Sequence, residues 1–202
     1  FESCVLGSIN LASFVQKGFL DEHDLDNTVR LAVSFLDKII DKNVYPISEI
    51  EAATKKTRKI GLGLMGVHDA LLMIGLPYDS PEGRTWCEGI MRRVTETSIE
   101  QSRILAEKYG MFPAWEGSIW KDFPMRNAAL TSIAPTGTLS LLAGCSSGIE
   151  PVFSFVHSRR NTVGKTFVIV NPVFLKGLEK TLAVMELTQD ERKKRMDDII
   201  TH

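Results

Sequence analysis

The sequence predicts an α/β protein rich in helix. Long charged stretches repeat their apolar residues at three- and four-residue spacing, the period of a helix with one buried face. Short apolar runs near residues 5–15, 128–134, 152–156 and 166–170 have the length of strands. The two kinds of segment are interleaved, as expected where helices lie against a sheet.

In chain order, Val5 to Val15 is apolar but interrupted by Gly7, Ser8 and Asn10, and reads as a strand or a loop entering a helix. Leu25, Val29, Val33, Leu36 and Ile40 define a helix from about Asp24 to Ile40. Pro46 breaks the chain, and Ser48 with Glu51 predicts a capping box for the next helix. That helix is expected from about Glu49 to Ile74, with Ile50, Ala53, Ile60, Leu64, Ala70 and Leu71 on its apolar face. It would contain Gly61, Gly63 and Gly66, each costing roughly 1 kcal/mol relative to alanine in a helix. Close packing against another backbone is the expected compensation. The same glycines match the GxGxxG spacing of dinucleotide loops, but that motif must follow a strand and open a helix. Inside a helical pattern, preceded by Lys55, Lys56, Arg58 and Lys59, they are not read as one.

Ser80 caps a third helix with Pro81 in its first turn, and Gly110 stops it. Trp86, Ile90, Val94, Ile99 and Leu105 mark its core side. Pro113, Trp115, Gly117 and Pro124 belong to an irregular connection. Ala128 to Ala134 reads as a buried strand, Pro135 to Thr138 as a turn, and Leu139 to Ala143 as the start of a helix. A second turn spans Gly144 to Gly148, and strands follow at Val152–Val156 and Thr166–Val170. Asn171 with Pro172 starts a helix, and Thr188 with Glu191 caps a last, charged one.

The composition, 44% hydrophobic and 24% charged with a formal net charge of -1, carries no global bias toward nucleic acid or a membrane surface. No apolar run approaches the roughly 20 residues of a membrane span. No basic segment precedes an apolar one at the start, so a signal peptide is not expected. The chain opens on Phe1 rather than Met and closes at His202 without a stop signal, so it is expected to be part of something longer. The 3 cysteines, Cys4, Cys87 and Cys145, are far apart and odd in number. They predict no disulfide scaffold and a reducing, cytoplasmic setting, each by default a small buried side chain. His23, His68, His157 and His202 have no metal-ligand spacing, and no metal site is expected. His157 with Arg159 and Arg160 is read as a solvated loop rather than a nucleotide contact.

Most of the chemistry lies in Pro135, Thr136, Gly137, Thr138, Leu139 and Ser140. A buried strand leads into this turn and a helix leaves it, and ligands of open α/β sheets bind beyond the carboxyl ends of strands. A helix N-terminus offers amides and a positive dipole end to an anion. Gly137 permits close approach, and Thr136, Thr138 and Ser140 carry hydroxyl donors. On residue chemistry alone, a turn with a Thr or Ser helix cap accounts for the same residues more simply.

Three stretches together resemble a known family. Ser132 to Ser140 is followed by Ala143-Gly144-Cys145-Ser146-Ser147-Gly148-Ile149-Glu150-Pro151. Glu2-Ser3-Cys4-Val5-Leu6-Gly7-Ser8-Ile9-Asn10-Leu11 opens the chain, and Arg58-Lys59-Ile60-Gly61-Leu62-Gly63-Leu64-Met65-Gly66 stands in the middle. In this order, over about residues 1 to 175, they resemble the large chain of ribonucleotide reductases, most closely the adenosylcobalamin-dependent class. The resemblance implies the second half of a ten-stranded α/β barrel, the whole chain being one fragment of the catalytic domain. It implies radical reduction of a ribonucleoside di- or triphosphate at the 2′ position. Cys4 would be one of two reducing cysteines, and Pro135 to Ser140 would hold the substrate phosphates. It also implies adenosylcobalamin or, alternatively, a radical-generating metal subunit. The implied partners are the upstream half of the subunit, a thioredoxin-type reductant and a second copy in a homodimer. Cys87, in a predicted helix, and Cys145, in a predicted turn, are read as structural or incidental.

The family's radical-cysteine motif, Asn-x-Cys-x-Glu, does not occur in these residues, nor does a partner for Cys4. The fragment alone is therefore expected to be inactive. A non-catalytic nucleotide-binding module is the alternative from a different functional class.

Overall fold

The computed structural model describes residues 2–160 and 163–201, apart from the side chains of Arg159 and Thr201. The chain begins with strand β1, Val5–Asn10. The Asn10 side chain accepts the Ala12 amide and starts a 3-10 turn at Leu11–Phe14. The short strands β2 (Val15–Gln16) and β3 (Phe19–Leu20) pair as a hairpin, turned by Lys17 and Gly18 at positive φ. Helix α1, Glu22–Lys42, is capped by Asp21, and Leu25, Val29, Val33, Leu36 and Ile40 are all buried, as their spacing predicts.

The stretch expected to be one helix from Glu49 to Ile74 is three elements. Helix α2 is Ser48–Thr57, strand β4 is Ile60–Met65, and helix α3 is Val67–Ile74. The predicted capping box does not form: Ser48 is already helical, and its hydroxyl bonds the neighbouring Glu49. The break comes at Arg58, which takes a left-handed conformation at the end of α2. Its guanidinium is buried against Asp37 and Asp41. β4 runs parallel to β1, from Val5 opposite Ile60 to Asn10 opposite Met65. The connection carries α1 and α2, as a parallel pair requires.

The glycines of β4 show why a helix is displaced. A Cβ on Gly63 would lie 2.5 Å from the Ser132 carbonyl oxygen, and one on Gly61 would lie 2.9 Å from Ser132 Cβ. Close packing is thus the reason for the glycines, as expected, but in a strand. The strand does precede a helix, with Gly66 at φ 71 opening α3. Gly61 and Gly63 nonetheless lie within the strand beside Ser132, and the space under them is filled, so they form no phosphate loop.

The predicted strand at 128–134 is extended and lies along the other edge of β4. The Leu62 amide donates to Leu130 O, and the Ser132 amide donates to Leu62 O. Only a single parallel bridge, Leu62 with Thr131, has regular geometry. Helix α4, Pro81–Tyr109, starts at Ser80 and stops at Gly110, as its caps predict. Its Ile90, Val94 and Leu105 complete the core with α1 and the sheet.

At the amino end of β4 the buried Asp37 accepts from Arg58, from Asn127 and from Arg126. Ser102 in turn donates to Asn127. A buried charge is tolerable only when paired and hydrogen-bonded. This network meets that condition and occupies the end of the sheet away from the Pro135 loop.

Beyond α5, Gly137–Ala143, strands β5 (Val156–Arg160) and β6 (Thr166–Val170) form an antiparallel hairpin. Residues 152–155, predicted as strand, are irregular because they are held from the side. The Val152 amide donates to His68, and Phe155 O accepts from Asn171. Helix α6, Pro172–Val184, starts at Asn171, and its Phe174 stacks on Phe155 with ring centroids 4.9 Å apart. Thr188 and Glu191 form the predicted box before α7, Gln189–Thr201. The α/β class read from the sequence holds. Among the described residues, no helix is long and apolar enough to cross a membrane.

Candidate functional site

The two faces of the β1–β4 pair differ in kind. On one, Gly7 rests on Leu36 of α1, and Ile9 and Leu62 join the core. On the other, Cys4 just before β1 and Leu6 and Ser8 within it stand on one side, and Leu6, Ser8 and Ser132 fill the space over Gly61 and Gly63. A Cβ on Gly61 would come within 3.4 Å of Cys4 Sγ, and one on Gly63 within 3.5 Å of Ser8 Oγ. This second face carries a thiol and a hydroxyl, with Leu6 and Ser132 packed over the two glycines. Leu6 on it is 55% exposed, and Cys4 is exposed. Burial of its sulfur, and then the Glu2 carboxylate, raise the Cys4 thiol above its ordinary value, while Lys59 opposes this.

Residues 134–139 fold over that face. With Leu6, Gly7 and Ser8 they line an open cavity of about 450 Å³. The structure thus brings Pro135, Thr136, Gly137, Thr138 and Leu139 together with β1. Cys4 does not line the cavity but stands on the same face, just before Leu6.

Within the loop the polar groups divide into two sets. Thr136 is buried, and its hydroxyl accepts the Gly148 amide at 2.7 Å and bonds Ser147. Ser140 is buried and donates to Gly137 O. These hydroxyls, expected to face a ligand, instead turn inward: Thr136 ties the loop to the 144–148 turn, and Ser140 bonds within α5. Pro135, Gly137, Thr138 and Leu139 are exposed. No side chain caps α5, so the simpler reading of this segment as a Thr- or Ser-capped turn lacks its cap. The first-turn amides of a helix have no intrahelical acceptor. Those amides and the Thr138 hydroxyl are what the loop can offer an anion.

The sequence reading missed the residues that hold this loop from behind. Asp69, fully buried in the first turn of α3, accepts the Ser146 amide at 2.6 Å and the Asn171 side chain at 2.8 Å. Tyr78 donates to Ile149 O. His68 accepts the Val152 amide at Nδ1, which places its proton on Nε2. The available signal was His68-Asp69 directly after Gly66, polar residues at a buried helix start. Burial lowers the His68 value, against the opposing pull of Asp69. A histidine whose folded value lies below its ordinary one stabilises the fold fully above the unfolded value. That contribution is lost as pH falls from about 6.5 through the lowered folded value. Amide exchange in 150–155, corrected for its intrinsic pH dependence, should therefore speed up below about pH 6.5. Unchanged protection down to about pH 5 would show that His68 does not hold the segment.

Cys87 lines a separate apolar cleft of about 550 Å³ between α4 and β4. Cys145 is pushed up to about 11 by burial and then by Asp69. Burial raises the Cys87 thiol as well. His157 is on β5 rather than in a loop, and is exposed. No cluster of metal-ligating side chains occurs among the described residues, and His202 lies outside them.

The model of the ribonucleotide reductase barrel domain matches residues 1–124 and 120–201. The chain belongs to the ribonucleotide reductase family. It is 46% identical over 177 residues to a vitamin B12-dependent ribonucleoside-diphosphate reductase of Thermoplasma acidophilum, covering 86% of this chain and 23% of that protein. A Mycobacterium tuberculosis protein of the same name is also 46% identical, over 86% of this chain and 25% of its own length. The large subunit of the Variola virus ribonucleoside-diphosphate reductase is 32% identical over 96% of this chain and 28% of its own length. The chain thus spans about a quarter of the length of these relatives. The family match covers Cys4, the 135–140 loop and the 144–148 turn.

Proposed function

We propose that this chain is the second half of a ribonucleotide reductase catalytic barrel. In this reading the loop Pro135 to Ser140 holds the phosphates of a ribonucleoside diphosphate, and Cys4 is one of two reducing thiols. The observation that carries the reading is that an exposed thiol and the loop 134–139 stand on one face of the β1–β4 pair, the loop over an open cavity. A nucleotide-binding module without chemistry would need the loop but no thiol beside it. The diphosphate is preferred because the relatives act, by name, on ribonucleoside diphosphates.

The chemistry balances with groups of this kind. The ribose 2′-hydroxyl leaves as water, a hydrogen takes its place, and two thiols become one disulfide. Cys4 would give up one proton and one electron, and a thiol from the rest of the subunit the other. A ribose would lie in the cavity beside Leu6, Gly7 and Ser8, and the loop amides would fix the phosphate end.

The names of the B12-dependent relatives point to adenosylcobalamin as the radical source. Around Cys4 the face offers the exposed Leu6 side chain, a surface that such a cofactor could meet. When bound, that group supplies the radical that starts the reaction. A thioredoxin-type protein would restore the thiols, the complete subunit would pair as a homodimer, and a reducing cytoplasm suits both.

The test is reconstitution. The complete subunit with adenosylcobalamin, a dithiol and a ribonucleoside diphosphate should yield deoxyribonucleoside diphosphate. The 202-residue chain alone should yield none, because its cysteines supply no partner for Cys4. Turnover by the chain alone would overturn the shared-site reading, and activity only with a metal-containing subunit would overturn the cofactor.

A further inference from the structure

The parallel pairing of β1 with β4 brings together the segments that lead into the two strands, residues 2–4 and 57–59. Lys59 Nζ lies 2.9 Å from Glu2 Oε2, and the Thr57 hydroxyl donates to the other Glu2 oxygen. The Ser3 amide donates to Thr54 Oγ1, pinning the segment to α2. Arg58, the remaining cation at this point, is turned the other way into Asp37 and Asp41. The charges acting on Cys4 are therefore Glu2 from its own segment and Lys59 from the lead-in to β4. The neighbouring extended segment contributes Ser132, which is uncharged.

We propose that the Glu2–Lys59 ion pair controls whether Cys4 holds its proton, so that both are positioning residues for the thiol. The inference rests on the reading of Cys4 as a reductant and gives that thiol its regulation. A reductant that delivers a proton with its electron must be protonated when substrate is bound. It must become a thiolate when a dithiol partner exchanges with it. The two charges serve these two states. The Glu2 carboxylate disfavours a second negative charge beside it, and the Lys59 ammonium favours one. Each moderates the other while the pair is intact. Partial loss of hydration works against the Glu2 charge, but the bonds from Thr57 and Lys59 outweigh it and keep the carboxyl ionised below its usual range. The pair is therefore formed at neutral pH.

The two charges predict opposite effects. Glu2→Gln removes the repulsion and releases Lys59, and both changes favour the thiolate. Lys59→Gln leaves an unbalanced carboxylate and disfavours it. The experiment is the rate of Cys4 alkylation by iodoacetamide in the intact enzyme between about pH 6 and 10, read by mass spectrometry of the peptide that carries Cys4. At neutral pH, Glu2→Gln should react about threefold faster and Lys59→Gln about threefold slower. The pH profiles should move down and up respectively. Lys59→Arg and Glu2→Asp should restore the parent profile. A purely structural role would move both neutralising variants the same way. Shifts of one sign, or none, would overturn the proposal. If the profiles move as expected while an enzyme with Cys4→Ser keeps full turnover, the redox reading fails and control of the thiol by the ion pair stands.

Discussion

Substituting Gly137 with valine should lower nucleotide affinity of the complete enzyme about a hundredfold, with folding intact. A charge-assisted hydrogen bond contributes roughly 1.5–3 kcal/mol, and a branched side chain in the first turn of α5 would block two or more of them, which sets that scale. Valine would not strain the backbone here. Gly137 is not at positive φ, and a Cβ built on it meets nothing within 4 Å. Any loss of affinity therefore reports a ligand approaching the loop, not a collapsed turn. Thr138→Val, which removes the one exposed hydroxyl of the loop, should cost about tenfold. Cys87→Ala, in the separate apolar cleft, should leave affinity unchanged. Isothermal titration with a ribonucleoside diphosphate measures all three. Parent-like affinity in both loop variants would reduce this segment to a connection between strand and helix.

Replacing Cys4 with serine should reduce steady-state turnover to background while leaving substrate affinity near that of the parent. Serine is close in size but forms no disulfide, so the electron count cannot be met. Affinity should survive because Cys4 does not line the loop cavity. The parent enzyme adds a dependence on pH. Burial and Glu2 raise the thiol, and thiolate is the form that exchanges. Re-reduction of the oxidised pair by a small dithiol starts from that dithiol's attack, with Cys4 as a poor leaving thiolate. It should therefore accelerate as the medium becomes mildly alkaline. Normal multiple turnover in Cys4→Ser would show that this thiol is only a neighbour of the site.

What could be read in the residues was whatever neighbouring residues settle among themselves. The buried face of α1 follows from the spacing of Leu25, Val29, Val33, Leu36 and Ile40. The ends of α4, α6 and α7 follow from Ser80 with Pro81, Asn171 with Pro172, and Thr188 with Glu191. The loop at Pro135 was legible as a strand–turn–helix passage for the same reason, and its order with the Cys4 and Gly61 segments pointed to the family. Residues 49–74 were misread because their apolar spacing suits a helix, and nothing local forbids one. The break at Arg58 depends on Asp37 and Asp41, and the strand that follows depends on Ser132 needing the space where Gly61 and Gly63 lack side chains.

The same division runs through the site. The sequence by itself offered the groups proposed to carry the chemistry: a thiol at Cys4, and hydroxyls and amides around Gly137. Only the tertiary structure decided what each of them does. It turned Thr136 inward onto the 144–148 turn and Ser140 inward onto Gly137 O, and left Thr138 exposed. It recruited Asp69 and His68 to hold the turn, and it placed Glu2 and Lys59 beside Cys4. A hydroxyl or a carboxylate bonds whichever partner the packed chain brings within reach, and those partners lie far away in sequence.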